Sequence, residues 1–585
     1  MNGGDLNLLW AHRFIDGLAA AGVSRVVVSP GSRSTPLALA ASRHPGVACD
    51  VIVDERSAAF FALGQARATC RPSALVCTSG TAGAHYLPAV IEASQANLPL
   101  VAVTADRPPE LHERGALQTI EQVRLFGAHV RAFLDLGAPS EDEPALAGVR
   151  AAAAVAVARS LDPRPGPVHV NAPFRAPLAP TAEAPAVEPA APAPRFFQPR
   201  RAPTAEAIRA LAQACLKARR GVILAGPGRL GQAGARPAAL GLARRLGFPL
   251  LAEAASQLRF AGGECDVVGL FELLVPPVAG DPCRPDLILQ IGAAPTSAAW
   301  GRWLESDEAP ERWVVTPHGW HDPSNAAAGV VAAEPDLTLQ ALLAALGEGV
   351  PADPGWAAWW RGAEDEVRVA LGDAEAREAA AGELSETAAV RAVLRAVPES
   401  SLLAVANSLA IREVDLACPP DLARVGVLAQ RGASGIDGTI SAAAGASSVA
   451  RSPVTALLGD LAFLHDVGGL AACRHAGGPL VLVVLDNHGG RIFDLLSVAD
   501  GRVDAESYER LFAAGQNADP AALASAFGVA CRSAADARSL EDAVAEAHAA
   551  GGTWVVVARV SGTPVRRRRL ELRAAVQARL RGVRP

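Results

Sequence analysis

Two distant stretches of the chain repeat one order of segments, and this repeat constrains the fold more than any other feature. They span residues 74–107 and 454–487. Each has an apolar run, a glycine turn, a helix-like segment, a proline and a second apolar run with a polar end. The turn and the proline lie 19 positions apart in the first stretch and 20 in the second. Strand, helix and strand in this order form the unit of a parallel α/β sheet. The repeat predicts two domains with the same plan.

Short apolar runs alternate with helix-like segments along the whole chain, for example in SRVVVSPG, GVILAGPG and DLILQIG. At 585 residues the chain is too long for one ordinary core. The proline- and alanine-rich segment 176–203 is interpreted as an extended linker, and a second break at 347–355 precedes an acidic helical segment. The sequence therefore predicts an α/β protein with three doubly wound parallel-sheet domains, at residues 1–180, 200–350 and 380–585.

Composition and charge exclude several classes of partner. The formal net charge of −6 argues against nucleic acid, and the basic run 566–569 is interpreted as the solvated start of a last helix. The nine cysteines include no C-x-x-C pair, so neither a zinc site nor a disulfide framework is expected. No apolar run approaches the length of a membrane span, and the N-terminus has helical spacing instead of the pattern of a signal peptide. We expect a soluble cytoplasmic protein with no membrane partner.

Polar residues at the ends of two predicted strands suggest a metal site. Asp460 offers a carboxylate, Asn487 an amide oxygen, and the glycine-flanked turn at Gly489 a backbone carbonyl. Three hard oxygens from adjacent strand ends suit Mg²⁺, which shares its remaining positions with phosphates and water. Taken alone, Asp460 would more often cap the following helix. The second turn at matching spacing favours the metal.

A lone carboxylate, Glu55, follows another strand-like run and opens a helix of small residues in VIVDERSAAFFALGQA. No cluster of metal ligands surrounds it in the sequence. The simplest interpretation is a surface ion pair with Arg56, the commoner use of such a pair.

The order of several motifs resembles one enzyme family. The motifs are SPGSRSTPLALA, DERSAAFFALGQA, TSGTAGAHYLPAVIEAS, TADRPPEL, GALQTI, NSLAIREVD, RGASGIDGTISAAAG and GDLAFLHDVGGL with DNHGGRIFDLL. Together they are similar to the 2-succinyl-5-enolpyruvyl-6-hydroxy-3-cyclohexene-1-carboxylate synthases, thiamine-diphosphate enzymes of menaquinone biosynthesis. The resemblance covers the first and third predicted domains nearly end to end, and the middle one only in outline.

The resemblance implies a reaction and its cofactors. The family decarboxylates 2-oxoglutarate and adds the resulting succinyl carbanion to isochorismate, with thiamine diphosphate and Mg²⁺ or Mn²⁺ as cofactors. It implies a homodimer or homotetramer whose sites lie across the subunit interface, because the first and third domains hold opposite ends of the cofactor. In this family Glu55 would hydrogen-bond the pyrimidine ring nitrogen and exchange a proton with it.

The resemblance also assigns individual residues. The positions that match substrate contacts are Ser32, Arg33, Arg107, Gln118, Ser408, Arg412 and Arg431. Those that match cofactor contacts are Glu55, Ile436, Asp460, Leu461, Asn487, Ile492, Phe493 and Leu496, with Asp460, Asn487 and Gly489 at the metal. Both substrates carry two carboxylates, which the fork of an arginine can bind through two hydrogen bonds. A structural salt bridge for each arginine, and core packing for each apolar residue, are the plain alternatives.

Two positions depart from the family pattern. Asp486 stands where the family has an asparagine next to the metal position, and Ala298 stands where it often has a lysine that faces the substrate. The loss of that cation leaves one substrate carboxylate without an assigned partner.

Two other functions were weighed against this interpretation. One is a different thiamine-diphosphate enzyme, such as a 2-oxoacid decarboxylase or an acetolactate-type synthase, whose smaller substrates would leave the arginines without purpose. The other is a nucleotide-binding regulatory protein, suggested by the G-x-G-x-x-G pattern of Gly226, Gly228 and Gly231 with Glu253 beyond the next strand. Pro227 removes a backbone donor from that turn, which weakens the dinucleotide interpretation.

Overall fold

The computed structural model shows three six-stranded sheets in which every strand pair is parallel. It describes residues 2–181, 196–228, 234–260, 262, 267–274, 284–347, 353, 355–561 and 564–581. We call the three sheets with their helices the N-terminal, central and C-terminal units. The predicted α/β class with three parallel sheets is confirmed.

In the N-terminal unit the strand order is β2-β1-β3-β4-β6-β5. Its strands are Arg25–Val28 (β1), Ala48–Val51 (β2), Ser73–Cys77 (β3), Leu100–Asp106 (β4), Phe133–Asp135 (β5) and Pro167–Pro173 (β6). Its helices are Gly3–Ala20 (α1), Thr35–Arg43 (α2), Glu55–Thr69 (α3), Leu87–Gln95 (α4) and Glu143–Leu161 (α5). The middle strands β3, β4 and β6 are buried at every position, as expected for strands covered by helices on both faces.

The central unit has the order β12-β11-β10-β7-β8-β9. Its strands are Gly221–Ala225 (β7), Leu250–Ala252 (β8), Val267–Val268 (β9), Leu287–Ile291 (β10), Glu311–Val315 (β11) and Gly329–Val331 (β12). Its helices are Ala205–Lys217 (α6), Ala235–Leu246 (α7), Ala298–Leu304 (α8) and Pro335–Ala345 (α9), and the long helix Trp356–Ala381 (α10) leads out of it. This order is that of a dinucleotide-binding sheet, so the fold alone does not separate the two interpretations of its glycine-rich turn.

The C-terminal unit repeats the N-terminal strand order as β14-β13-β15-β16-β18-β17. Its strands are Ser401–Val405 (β13), Val425–Ala429 (β14), Val454–Gly459 (β15), Leu480–Asp486 (β16), Ala530–Ala534 (β17) and Thr553–Arg559 (β18). Its helices are Glu386–Ala396 (α11), Leu409–Ala417 (α12), Thr439–Val449 (α13), Asp460–His465 (α14), Ala505–Tyr508 (α15), Pro520–Ala526 (α16), Ala537–Ala550 (α17) and Val565–Leu580 (α18). The two repeated sequence stretches therefore form equivalent parts of two sheets with one topology.

Helices α3 and α13 join the N-terminal and C-terminal units at a very close crossing. A Cβ atom on Gly64 would lie 1.9 Å from the carbonyl oxygen of Ala442, and one on Gly445 would lie 1.9 Å from that of Phe61. Such distances admit only glycine at both positions, because any side chain would overlap the opposite backbone. A single hydrophobic core therefore continues from one unit into the other.

Helix α5 corrects one expectation about membranes. By length and composition alone it could cross a membrane, so the statement that no apolar run reaches that length was too strong. The helix packs along α1, where a Cβ on Gly17 would lie 2.4 Å from the carbonyl oxygen of Arg150. The contact buries one face of α5, a third of its apolar window, and a single helix of this kind is weak evidence for a membrane span.

The basic run 566–569 lies at the start of α18, as predicted, but only half of it is solvated. Arg567 is an exposed partner of Glu571. The side chains of Arg568 and Arg569 are only 12% and 14% exposed, and each is paired with a buried carboxylate in the C-terminal unit. The expectation of a solvated run was wrong because charge spacing along a helix does not indicate which face a distant segment will cover. The predicted linker and the second break lie partly outside the described residues, at 182–195 and around 348–354.

Candidate active site

Two turns at the ends of neighbouring strands meet in the C-terminal unit. Asp460 follows β15 and Asn487 follows β16, which pairs with β15 along its length. One oxygen of Asp460, Oδ1, accepts the backbone N–H of Leu461 at 2.8 Å, and the other, Oδ2, accepts that of Gly489 at 2.7 Å. Gly459 occupies the position that caps α14. Asp460 therefore ties the two turns together instead of capping the helix.

The side chains of Asp460 and Asn487 place oxygen atoms that could bind a cation in a buried part of the site. Burial raises the pKa of Asp460 to about 6, and the two backbone N–H groups oppose that rise. The amide nitrogen of Asn487 donates to Glu386 at 3.0 Å, while its oxygen Oδ1 is buried and has no hydrogen-bond partner among the described residues. An unpartnered buried acceptor costs stability unless a ligand satisfies it. Together with the Gly489 carbonyl, which accepts only the N–H of Arg491, the donor set fits Mg²⁺.

Asp486 has a structural partner of its own. It ends β16 and accepts Nη1 of Arg559 at 2.6 Å, at the matching end of β18. The carboxylate that departs from the family's asparagine is thus paired with a cation across neighbouring strand ends.

The apolar residues assigned to the cofactor lie in two segments. Ile492 and Phe493 are half-buried on a short helix, Arg491–Leu495, and Leu496 just beyond it is 50% exposed. Ile436 lies in the loop before α13 and packs partly against the core shared by the N- and C-terminal units. Partly exposed apolar side chains suit an apolar ring, and an oxygen-rich turn could hold a cation that in turn binds a diphosphate.

Ser408, Arg412 and Arg431 come together next to these turns. Arg412 donates through Nη1 to the carbonyl of Ser408 at 2.8 Å, and Arg431 donates to the side chain of Asn407 at 2.6 Å. Burial lowers the pKa of Arg412, and the charge of Arg431 lowers it further. The buried carboxylate of Asp415 is near enough for its charge to interact with both arginines, so it offsets part of their charge. Two neighbouring cations can nevertheless attract an anion.

Ser408 itself has a strained backbone, with φ of 68° and ψ of −127°. Residues other than glycine rarely adopt this region, and such strain concentrates at functional sites. Asn407 fixes the strained turn because its side-chain nitrogen donates to the carbonyls of Gln430 and Gly435, each at 2.7 Å.

A second pair of arginines lies in the N-terminal unit. Arg33 donates to the carbonyl of Phe174 at 2.7 Å, and its Nε is buried without a hydrogen-bond partner in the described chain. Arg107 follows β4 and donates to the hydroxyl of Ser79. Burial lowers the pKa of Arg33, and the charge of Arg107 adds to the effect. This pair therefore also favours an anion.

Ser32 and Gln118 flank the same N-terminal turns. Ser32 is exposed, and its carbonyl accepts the hydroxyl of Thr35 at 2.7 Å. Gln118 is exposed with φ of 54°, and it lies beside Gly80. Within the described residues, none of the hydrogen bonds and ion pairs joins this group to Arg412 or Arg431.

Glu55 is the first residue of α3, and the preceding Asp54 caps that helix by accepting the N–H of Ser57 at 3.1 Å. Among the described residues, Glu55 forms neither a hydrogen bond nor an ion pair, so the pairing with Arg56 is absent there. Burial raises the pKa of Tyr86, and the nearby charge of Glu55 contributes to the rise. The carboxylate of Glu55 is therefore near enough for its charge to act on this buried hydroxyl group.

In the central unit, neighbouring protein groups fill the space around the glycine-rich turn. A Cβ on Gly226 would lie 2.0 Å from the carbonyl oxygen of Ala293, so this glycine allows two strand ends to approach. Glu253 is buried and accepts the backbone N–H groups of Thr296 and Ser297, at 2.6 and 3.3 Å. Both N–H groups bind Oε1, and the side chain is 1% exposed, so burial and not occupancy keeps Glu253 from a ribose. Gly231 lies outside the described residues.

Ala298, the position of the missing lysine, is the first residue of α8. Ser297 caps this helix, and the N–H groups before Ala298 are directed to Glu253. An alanine at this position leaves no cation at the start of α8.

Three residues that sequence reasoning missed support the site. Glu386 and Asn407 are described above. Glu92, on α4, is buried and accepts the N–H groups of Gly432 and Ala433 at 3.0 and 2.6 Å, so it holds the loop that carries Arg431. Each acts across more than 20 positions of sequence, and no local pattern marks them.

Comparisons with known proteins identify the family of the chain. Residues 10–125 match the family described as "Thiamine pyrophosphate enzyme, N-terminal TPP binding domain", and residues 424–558 match its "C-terminal TPP binding domain". A 2-succinyl-5-enolpyruvyl-6-hydroxy-3-cyclohexene-1-carboxylate synthase from Sorangium cellulosum is 46% identical, over 95% of this chain and 93% of its own. Proteins with the same name from Geobacillus thermodenitrificans and Myxococcus xanthus are 40% and 38% identical, over 83% and 95% of this chain and 82% and 95% of theirs.

Proposed function

Because the chain belongs to the 2-succinyl-5-enolpyruvyl-6-hydroxy-3-cyclohexene-1-carboxylate synthase family, we propose that its strand-end turns hold thiamine diphosphate and a divalent cation where two copies of the chain meet. The chain is a thiamine-diphosphate-dependent synthase that forms a carbon–carbon bond. It decarboxylates 2-oxoglutarate and joins the succinyl unit to isochorismate in menaquinone biosynthesis.

The cation is Mg²⁺ or Mn²⁺, bound by Asp460, Asn487 and the carbonyl of Gly489. The observation that carries this assignment is the buried Oδ1 of Asn487, which has no hydrogen-bond partner in the described chain. The carboxylate of Asp460 lies beside it, because Asp460 binds the N–H of Gly489 in the same turn. Leu461 completes the turn on the diphosphate side.

Glu55 holds and moves a proton at the pyrimidine ring nitrogen of the cofactor. Its carboxylate starts a helix, has no partner among the described residues, and can therefore approach a ligand. When bound, thiamine diphosphate supplies the electron sink for loss of the carboxylate of 2-oxoglutarate. Ile436, Ile492, Phe493 and Leu496 orient its rings and exclude water from them.

The two arginine pairs bind the carboxylates of the substrates. Arg33 and Arg107, with Ser32 and Gln118, form one group, and Arg412 and Arg431, with Ser408, form the other. Each pair places two cations side by side, which suits a dicarboxylate. They bind and orient the substrates, and they take no proton from them, since guanidinium groups stay charged.

The site is completed by a second copy of the chain in a homodimer or homotetramer. Apolar side chains next to Glu55 and Gln118 support this, because Val53 is 74% and Leu117 is 87% exposed in the single chain. Large exposed aliphatic groups beside a polar site are typical of a surface that another protein covers. The N-terminal domain of one copy, residues 1–180, would then face the C-terminal domain, residues 380–585, of its partner. The central domain, 200–350, flanks both, and the enzyme acts in the cytoplasm.

The decisive experiment mixes the protein with thiamine diphosphate, Mg²⁺, 2-oxoglutarate and isochorismate. Carbon dioxide release coupled to the loss of isochorismate is expected, and neither should occur without the cofactor. Replacing 2-oxoglutarate with pyruvate should abolish the reaction, because the arginine pairs would lack their second carboxylate. Equal turnover with pyruvate would contradict the assignment of the arginines.

A further inference from the structure

The amide of Asn487 can bind a cation only in one of its two orientations. The orientation is set on its other side, where Nδ2 donates to Oε1 of Glu386 at 3.0 Å. A carboxylate accepts hydrogen bonds and cannot donate them, so it selects the amide nitrogen. The oxygen Oδ1 is therefore turned away from Glu386, into the buried place beside Asp460.

Glu386 is itself held rigidly. It is the first residue of α11, whose N-terminus is capped by Ser385, and it is only 3% exposed. Its second oxygen accepts Nη1 of Arg568 at 2.9 Å, and Arg568 also donates to the hydroxyl of Ser561. Both oxygens of the carboxylate are thus assigned, one to a guanidinium and one to the amide.

From this geometry we propose that Glu386, held by Arg568 of the last helix, is a positioning residue that directs the oxygen of Asn487 at the metal. The inference rests on the proposed metal site and deepens it. Partners behind a metal ligand fix its orientation, and removing one typically weakens metal binding about 10- to 100-fold. Here the last helix of the chain stabilises the metal site from behind, through two buried side chains.

Neighbouring charges do not compete for the amide. Glu386, Glu378 and Glu413 line one cavity, and the carboxylate of Glu413 accepts Nη2 of Arg569 at 2.6 Å and the hydroxyl of Thr387 at 2.8 Å. The carboxylate of Glu378 accepts the hydroxyl of Ser385 and has no contact with Asn487. Glu386 is therefore the group that sets the amide orientation.

The first test is Glu386→Gln in the full-length chain with thiamine diphosphate present. Because the introduced amide can donate as well as accept, the amide of Asn487 can then turn its nitrogen to the metal. Mn²⁺ binding, followed by electron paramagnetic resonance, should weaken about 10- to 100-fold. Glu378→Gln, in the same cavity, should bind Mn²⁺ like the parent. The unfolding temperature without metal should be similar in both, which separates positioning from a general loss of structure.

Arg568 offers a second, independent pair of variants. Arg568→Gln should weaken Mn²⁺ binding in the same direction as Glu386→Gln, because the carboxylate loses its anchor. Arg567→Gln changes the adjacent arginine, whose partner is the exposed Glu571, and should leave the affinity unchanged. If Glu386→Gln fails to fold, this pair carries the test.

A double-mutant cycle gives the sharpest outcome. When residue 487 is asparagine, Glu386→Gln should weaken Mn²⁺ binding. In the Asn487→Asp background the same change should strengthen it, because the new carboxylate needs a hydrogen-bond donor at position 386. Such a reversal of sign is expected only if the two side chains are hydrogen-bonded. The same effect in both backgrounds, or equal affinities of Glu386→Gln and Glu378→Gln, would overturn the positioning role. Parent-like Mn²⁺ binding by Asp460→Ala and Asn487→Ala would instead overturn the metal site itself.

Discussion

Glu253 of the central unit and Asp415 of the C-terminal unit lie as neighbours in a buried interface, each with one carboxyl oxygen that has no hydrogen-bond partner in the described chain. The other oxygen of Asp415 accepts the N–H of Ala254 at 2.7 Å. Burial raises the pKa of Glu253 to about 8, and the charge of Asp415 adds to the rise. When the pH is low enough for one carboxyl group of this pair to hold a proton, the two carboxylates no longer repel each other across the interface.

We predict from this pair that stability falls as the pH rises. Between the ordinary glutamate pKa of 4.5 and about 8, the folded chain keeps a proton on Glu253 that the unfolded chain has released. The folded state therefore binds more protons, and the free energy of unfolding decreases across this window. Glu253→Gln should reduce the dependence, because burial also raises the pKa of Asp415, and it should raise stability at pH 8 by about 1–3 kcal/mol, measured by thermal unfolding. Exposed Glu305→Gln is the control, and an equal gain there would refute the explanation.

Glu55→Gln should leave the fold and the binding of thiamine diphosphate largely intact while turnover falls. The amide cannot exchange a proton with the ring nitrogen, and general acid–base groups typically contribute about 10²- to 10⁴-fold to rate. Steady-state kinetics and cofactor titration on the same preparation measure the two effects separately. Turnover close to that of the parent would remove Glu55 from the mechanism.

Asp460→Ala should weaken metal-dependent retention of the cofactor. The substitution removes a proposed ligand and the acceptor of the Gly489 N–H, so both turns lose their link. Calorimetry should show a lower affinity for Mg²⁺ in the presence of thiamine diphosphate. The loss should be at least about 10- to 100-fold, the effect of removing a residue that hydrogen-bonds a metal ligand. Unchanged retention would place the metal elsewhere.

Arg431→Lys should raise KM for the substrates more than it changes kcat. Lysine keeps the charge but lacks the fork, and it cannot bind Asn407 and a carboxylate together. One lost hydrogen bond to a charged group corresponds to about a tenfold or larger effect. Exposed Arg451→Lys serves as the control. Identical kinetic constants for both variants would assign Arg431 a structural role.

Gly64→Ala should destabilise the contact between the N-terminal and C-terminal units. The new methyl group would overlap the backbone of α13 at 1.9 Å, so the helices must separate. Overpacking of this kind costs about 1–3 kcal/mol or more. Gly372→Ala, where nothing lies within 4 Å, should instead stabilise α10 by up to about 1 kcal/mol. Denaturant unfolding of the two variants compares these signs.

The parts of this structure that sequence predicts are those fixed by local periodicity. Apolar runs followed by glycine turns identify parallel strands, and their carboxyl ends converge, so Asp460 and Asn487 could be placed together. The family's residue roles remain predictions. The supporting residues Glu386 and Glu92 had no signal, because their partners lie 101 and about 340 positions away. Arg568 was misjudged for the same reason, since burial by a distant segment leaves no mark on the run itself.

The shared strand order of the first and third sheets places two different side chains at equivalent corners. Asp106 ends β4 and Asp486 ends β16, both aspartates are buried, and Arg107 and Asn487 follow them. Under the proposed roles, the corner of the first sheet offers a guanidinium to an anion, and the corner of the third sheet offers an amide oxygen to a cation. One strand-end geometry would then serve ligands of opposite charge, with the residue after the aspartate setting the sign.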